Sequence, residues 1–200
     1  MPKINAATID EHKEKTRTAL LEAGAASFVE LGLAGTSIGV LADEAGIART
    51  TVYEYFPNKE AVLADLIYGR LPRIAERVVA DLPENPIDRL VEMVRRSLLF
   101  VDEYPVETVL LFKVSRELPK PERDAVWSVL HPIREEIMLL CAEVVAGGRL
   151  HGVDPISLGI MIGDLVVGGI DELAERGREN AAAVIAARTG FLRSGLGAGT

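Results

Sequence analysis

Two hundred residues can form one large or two small domains around a buried core. An apolar share of 48% with only 5% aromatic, rich in Ala, Leu and Val, fits an all-helical chain, and the absence of an unbroken apolar run of about eighteen residues argues against a membrane span. The net charge of −8 means that a nucleic-acid partner could not be held by bulk positive charge.

In chain order, residues 1–12 are polar and are expected to form a flexible arm, without the apolar segment of a secretion signal. A first helix is expected from about Glu14 to Leu31, with Leu21, Ala25 and Phe28 facing inward and Gly32 ending it. The stretch TSIGVLADEAGIARTTVYEYFPNKE, from Thr36 to Glu60, reads as two short helices joined by a tight turn. Thr36 or Ser37 can cap the first of them, because a hydroxyl there accepts a bond from an unpaired first-turn N–H. Ile38, Leu41, Ala42 and Ala45 recur at helical spacing, and Gly46 follows where a left-handed residue stops a helix. Ala48 to Phe56 form the second, with Val52, Tyr55 and Phe56 inward and Arg49, Thr50, Thr51 and Tyr53 among the outward groups. A short donor-bearing helix held at an angle in this way is what a helix-turn-helix places in the major groove.

The ordered set Leu20, Leu21, Ala23, Phe28, Gly32 and Thr36, followed by Tyr53, Phe56, Pro57, Asn58, Lys59, Glu60 and Leu63, resembles the N-terminal domain of the TetR family of transcriptional regulators. The resemblance covers roughly residues 13–66. It implies that Thr36, Ser37, Ala48, Thr50, Thr51, Tyr53, Tyr55 and Lys59 occupy positions that touch DNA. Arg49 has the chemistry for a bidentate bond to guanine. Residues 1–60 nevertheless hold six Lys or Arg against nine acids, so few phosphate contacts and a modest salt dependence are expected. Glu54 would be repelled by a phosphate and can instead accept from a cytosine amine or pair with Arg49 or a nearby lysine; Gly39 is unexpected in a helix interior unless it permits close packing or DNA approach.

Beyond the head, a fourth helix is expected to start near Asn58 and to kink or break at Pro72. Further helices are expected over 87–102, from Pro105 to about Glu117, and from Glu122 to Ala146 with Pro132 inside. Two more run from near Pro155 to Arg176, and from Arg178 or Asn180 into the tail SGLGAGT. The fold class is all-α: a three-helix head, 13–58, and a regulatory and dimerisation bundle of about six helices, 59–193, with a flexible tail over 194–200.

Phe100, Tyr104, Phe112, Trp127, Met138 and Met161 are candidates to line a cavity for an apolar effector, with Cys141 as a core thiol. Arg96, Ser115, Arg116, Arg134 and Asp164 are the polar candidates. The resemblance implies a dimer through the last two helices, for which Ile160, Gly163, Val167, Ile170, Ala183, Ala187 and Phe191 are the candidate residues.

His12, His131 and His151 are scattered, and metal-ligand spacings, phosphate loops and nucleophile elbows are missing, so no enzyme, metal or cofactor is expected. The lone cysteine fits a reducing cytoplasm. The expected function is a dimeric, effector-released repressor on a near-palindromic operator. The alternative is a helical small-molecule-binding or interaction protein that has lost DNA binding.

Overall fold

The computed structural model describes residues 6–148 and 150–197. Among them are ten α-helices and no strand: α1 (Ala6–Gly35), α2 (Ile38–Ala45), α3 (Arg49–Tyr55), α4 (Lys59–Val79), α5 (Pro86–Glu103), α6 (Pro105–Phe112), α7 (Lys120–Trp127), α8 (His131–Ala146), α9 (Pro155–Arg176) and α10 (Ala181–Gly195). Short 3-10 turns occupy Val114–Glu117, Ser128–Leu130 and Arg178–Asn180. No helix of the described residues is long and apolar enough to cross a membrane.

The chain forms two compact units. One comprises the chain through Leu71 together with Val106–Ser128, and the other Pro72–Pro105 together with the chain from Val129. Within the first unit, α1 begins at Ala6 rather than near Glu14. Residues 6–12 extend the helix, and the remainder of the expected arm, 1–5, lies outside the described residues. Lys15 pairs with Glu11 at 2.8 Å across one turn, a local stabiliser that favours the earlier start. The buried side chains of α1 are Leu20, Ala23, Ser27, Phe28 and Leu33. Leu21 and Ala25 are only half-buried, so the inner face is rotated from the expected one. Gly32 adopts φ 72 and ψ 177 and breaks α1 near its end, a conformation that strains any residue with a Cβ.

Pro72 lies inside α4, which runs on past it to Val79, so the proline does not end the helix. The boundary between the two units falls at this proline.

The single helix expected from Glu122 to Ala146 is instead α7, a 3-10 turn and α8. Pro132 sits in the first turn of α8, where the missing N–H has no helical partner to lose. It starts a helix there rather than bending one. Likewise the helix expected from Pro105 to Glu117 ends at Phe112 and gives way to a 3-10 turn.

In the second unit, α5 supplies the central apolar face, burying Ile87, Leu90, Met93, Val94 and Leu98. Its start is fixed by Asn85, whose Oδ1 accepts from the Ile87 and Asp88 amides at 2.9 and 3.3 Å. Asp154 caps α9 in the same way, accepting from the Ile156 and Ser157 amides. At Gly169 the backbone of α9 comes so close to α5 that a Cβ would fall 2.5 Å from a Leu98 methyl. Cys141 is fully buried, and burial pushes its thiol up to about 11, so it stays protonated and packs as a small apolar group.

Candidate nucleic-acid interface

The geometry of α2 and α3 follows from three local devices. Ser37 is extended, and its Oγ accepts from the Val40 amide at 3.2 Å, which starts α2. Gly46 adopts φ 66 and ψ 32 and stops it, with Ile38, Leu41 and Ala42 buried along one side. α3 then plants Val52 and Phe56 in the core at 0% and 4% exposure, which turns the opposite side of a seven-residue helix outward.

That outward side carries Arg49, Thr50, Tyr53 and Glu54, with Tyr53 50% exposed, while Ala48 caps the helix without a side-chain bond. Thr51 and Tyr55 are half-buried. Arg49 makes no hydrogen bond or ion pair among the described residues, so its donors are available for a ligand.

Two of the candidate contacts have another occupation. Thr36 is 2% exposed and its hydroxyl donates to the Gly32 carbonyl at 2.8 Å. The Lys59 ammonium donates to the carbonyls of Leu33 at 2.6 Å and Thr36 at 2.9 Å. These groups fasten the junction between α1 and α2. Arg17 of α1 is likewise engaged: it pairs with Asp65 at 2.6 Å and lies 5.7 Å from the Phe56 ring centre. Of the cations on the described part of the head, Lys13 and Arg49 are exposed and unpaired.

One residue of this region was not legible in the sequence. Glu117 accepts from the Ala34 amide at 2.8 Å across 83 residues of chain, a separation at which no local pattern announces a partner.

The second unit contains a cavity of about 350 Å³ lined by α4 and α5 residues with the intervening turn. Phe100 and Tyr104 belong to it, stacked with ring centres 5.6 Å apart. Arg96 lines it too, with donors on the Arg77 and Asp81 carbonyls at 3.0 and 3.3 Å. The other aromatic candidates lie elsewhere: Phe112 and Trp127 pack edge-to-face, 5.3 Å apart, in the first unit. Arg116, Met138 and Met161 are exposed, and Ser115 is buried with its hydroxyl on the Leu111 carbonyl. Spacing along one helix cannot tell a cavity wall from a surface when the partner elements are unknown. The cavity's polar wall, Arg77, Asp81, Arg95 and Glu103, was missed for the same reason.

Among the candidate dimer residues, Ile160 is 60% and Phe191 72% exposed, and Ala183 and Ala187 are exposed on the same helix as Phe191. Gly163 and Val167 are half-buried. Ile170 is 4% exposed and belongs to the core of its own chain.

Residues 20–66 match the family described as bacterial regulatory proteins, tetR family. The transcriptional repressor KstR2 of Mycobacterium tuberculosis is 30% identical over 109 residues, 54% of each chain, so this chain spans about half the length of that relative. The fold is similar to FadR of Bacillus subtilis, solved with stearoyl-CoA, with a TM-score of 0.74 at 18% identity over 89% of this chain and 98% of that one. It is also similar to AibR, solved with isovaleryl coenzyme A and operator DNA, with a TM-score of 0.73 at 20% identity over 88% and 97%. The capped α2, left-handed turn and exposed α3 all fall within the matched residues, so the segment 20–66 carries the helix-turn-helix of the tetR family.

Proposed function

We propose that this chain is an effector-released transcriptional repressor that binds a near-palindromic operator as a homodimer. The observation that carries the reading is the exposure of Arg49, Thr50 and Tyr53 on a helix whose other side is locked into the core by Val52 and Phe56. Arg49 is assigned to a guanine edge, and Thr50 and Tyr53 to bases or phosphates, with Ser37, Ala48, Thr51 and Tyr55 at the margins. Two heads related by a two-fold axis would meet half-sites about 34 Å apart, or a simple multiple of that. The exposed Ile160 and Phe191 supply the apolar contact between copies. Residues 13–58 serve as the reading head and 59–193 as the effector and dimerisation part of a cytoplasmic regulator.

The cavity beside Phe100 and Tyr104 is the effector site in this reading. Its volume lies near the lower end of the range of small-molecule pockets, roughly 300–1,000 Å³. Stacked rings with Ile74, Val78 and Leu99 suit an apolar body; Arg77 and Arg95, paired here with Glu103 and Glu92, would exchange those carboxylates for an anionic group of the effector. The acyl-CoA ligands of FadR and AibR have this amphipathic, anionic character and are the first compounds to test. An effector that binds the DNA-incompetent form more tightly by about 1–3 kcal/mol would suffice.

The test is a titration onto duplex DNA from upstream of its own gene, with and without each acyl-CoA, alongside a thermal-shift measurement. Saturable DNA binding relieved by a compound that raises the melting point supports the reading. A second reading, a ligand-binding protein that no longer reads DNA, is favoured by Glu54 on the exposed side of α3. It predicts the thermal shift without DNA binding at any salt concentration.

A further inference from the structure

We propose that Glu117 is a positioning residue for DNA reading, a role that rests on the DNA-binding reading above. The junction between α1 and α2 sets the direction in which α2, and after Gly46 α3, leaves the first helix. Two ties at this junction come from within residues 20–66: the Thr36 hydroxyl on the Gly32 carbonyl, and the Lys59 ammonium on the Leu33 and Thr36 carbonyls. The third comes from outside, where Glu117 Oε2 accepts the Ala34 N–H at 2.8 Å.

The fit is that of a side-chain acceptor oxygen entering beside a glycine. Gly32 sits at φ 72, and a Cβ on it would fall 2.9 Å from Glu117 Oε1, so the side chain occupies the space that the glycine leaves open. Glu117 projects from a firmly held turn. Its neighbours Val114, Ser115 and Leu118 are 1%, 0% and 3% exposed, and the Leu118 amide donates to the Ser115 carbonyl at 3.1 Å. An anchored acceptor of this kind holds Ala34 three residues before the Ser37 cap of α2. The reading geometry is thus completed by a residue that the helix-turn-helix segment does not contain.

The full chain as wild type, Glu117→Leu, Glu117→Gln and Val126→Ala should be titrated onto the upstream duplex, with unfolding midpoints and the Ala34 amide resonance recorded. Val126 is 1% exposed in the same unit, so its truncation controls for general loss of stability. The expected result is at least a tenfold weaker affinity for Glu117→Leu with a displaced Ala34 resonance. Glu117→Gln, which keeps an acceptor oxygen, should stay within threefold of wild type, and Val126→Ala should bind as wild type does. Affinity of Glu117→Leu within twofold of wild type overturns the inference. So does an equal loss in Val126→Ala, or a failure of Glu117→Gln to restore binding. A wild type that does not bind the duplex overturns the DNA-binding reading itself, and this inference with it.

Discussion

The ammonium of Lys59 donates to the carbonyl of Leu33 at 2.6 Å, tying the first residue of α4 to the last turn of α1. With the Thr36 carbonyl at 2.9 Å as its second acceptor, one cation satisfies two carbonyls at a helix end. Lys59→Met keeps the aliphatic stem and removes both bonds. It should lower the stability of the protein by about 1–3 kcal/mol, the usual range for bonds to a charged donor. Denaturant unfolding checks this. A midpoint equal to wild type would mean that the lysine is free to serve DNA alone.

Gly46 and Gly39 should respond oppositely to alanine. Gly46 holds φ 66 with nothing near a prospective Cβ, so Gly46→Ala suffers only the backbone cost and should lose about 1 kcal/mol. At Gly39, inside α2, a Cβ would lie 3.5 Å from Ser37 Oγ, an ordinary contact. Gly39→Ala should therefore gain about 0.5–1 kcal/mol from helix propensity. If it also weakens DNA binding, the glycine is there for the approach of the duplex, since protein packing does not require it.

The Glu92 carboxyl is held well below its ordinary 4.5, at about 2, chiefly by its hydrogen bond to Arg95 and then by Arg96, against the opposing effect of burial. A depressed folded-state value means the pairing stabilises above the unfolded value and is lost as pH falls. Stability curves of wild type and Glu92→Gln should differ most above about pH 5, converge from 4.5 downward and meet near 2. Denaturant midpoints measured across that window check the sign; a difference that widens toward acid would contradict it.

Much of the local structure was legible in the sequence. Ser37, Gly46 and Asn58 act through neighbours one turn away: the Asn58 Oδ1, for example, accepts from the Ala61 amide at 2.8 Å. Such short-range chemistry is written in adjacent residues. Pro132 is ambiguous in sequence because a proline is equally compatible with the start of one helix and a bend in another, and only the preceding 3-10 turn decides. Of the expected effector residues, Phe100 and Tyr104 share a cavity while Phe112 and Trp127 pair in the other unit. Which aromatics meet depends on long-range packing that no spacing encodes. Thr36 and Lys59 show the same limit in the head, since their partners are backbone carbonyls whose position depends on the break at Gly32.

The proposed dimer face separates cleanly from the protomer core. Ile160→Asp or Phe191→Asp alters a side chain that is 60% or 72% exposed, and should leave the fold intact while producing a monomer in sedimentation at micromolar concentration. Ile170→Val, by contrast, trims a side chain that is 4% exposed and should cost about 0.5–1.5 kcal/mol without changing the oligomeric state. A wild-type protein that already sediments as a monomer would remove the two-headed arrangement.

The assignment of Arg49 on α3 to a base edge is decided by the affinity of wild type and Arg49→Ala for the upstream duplex, measured between about 50 and 200 mM salt. Wild-type binding should be saturable and weaken only modestly with salt, because few cations of the head point outward. Arg49→Ala should lose about 1–3 kcal/mol of binding with an unchanged unfolding midpoint. Equal affinities for the two proteins, or no wild-type binding at the lowest salt, would contradict it.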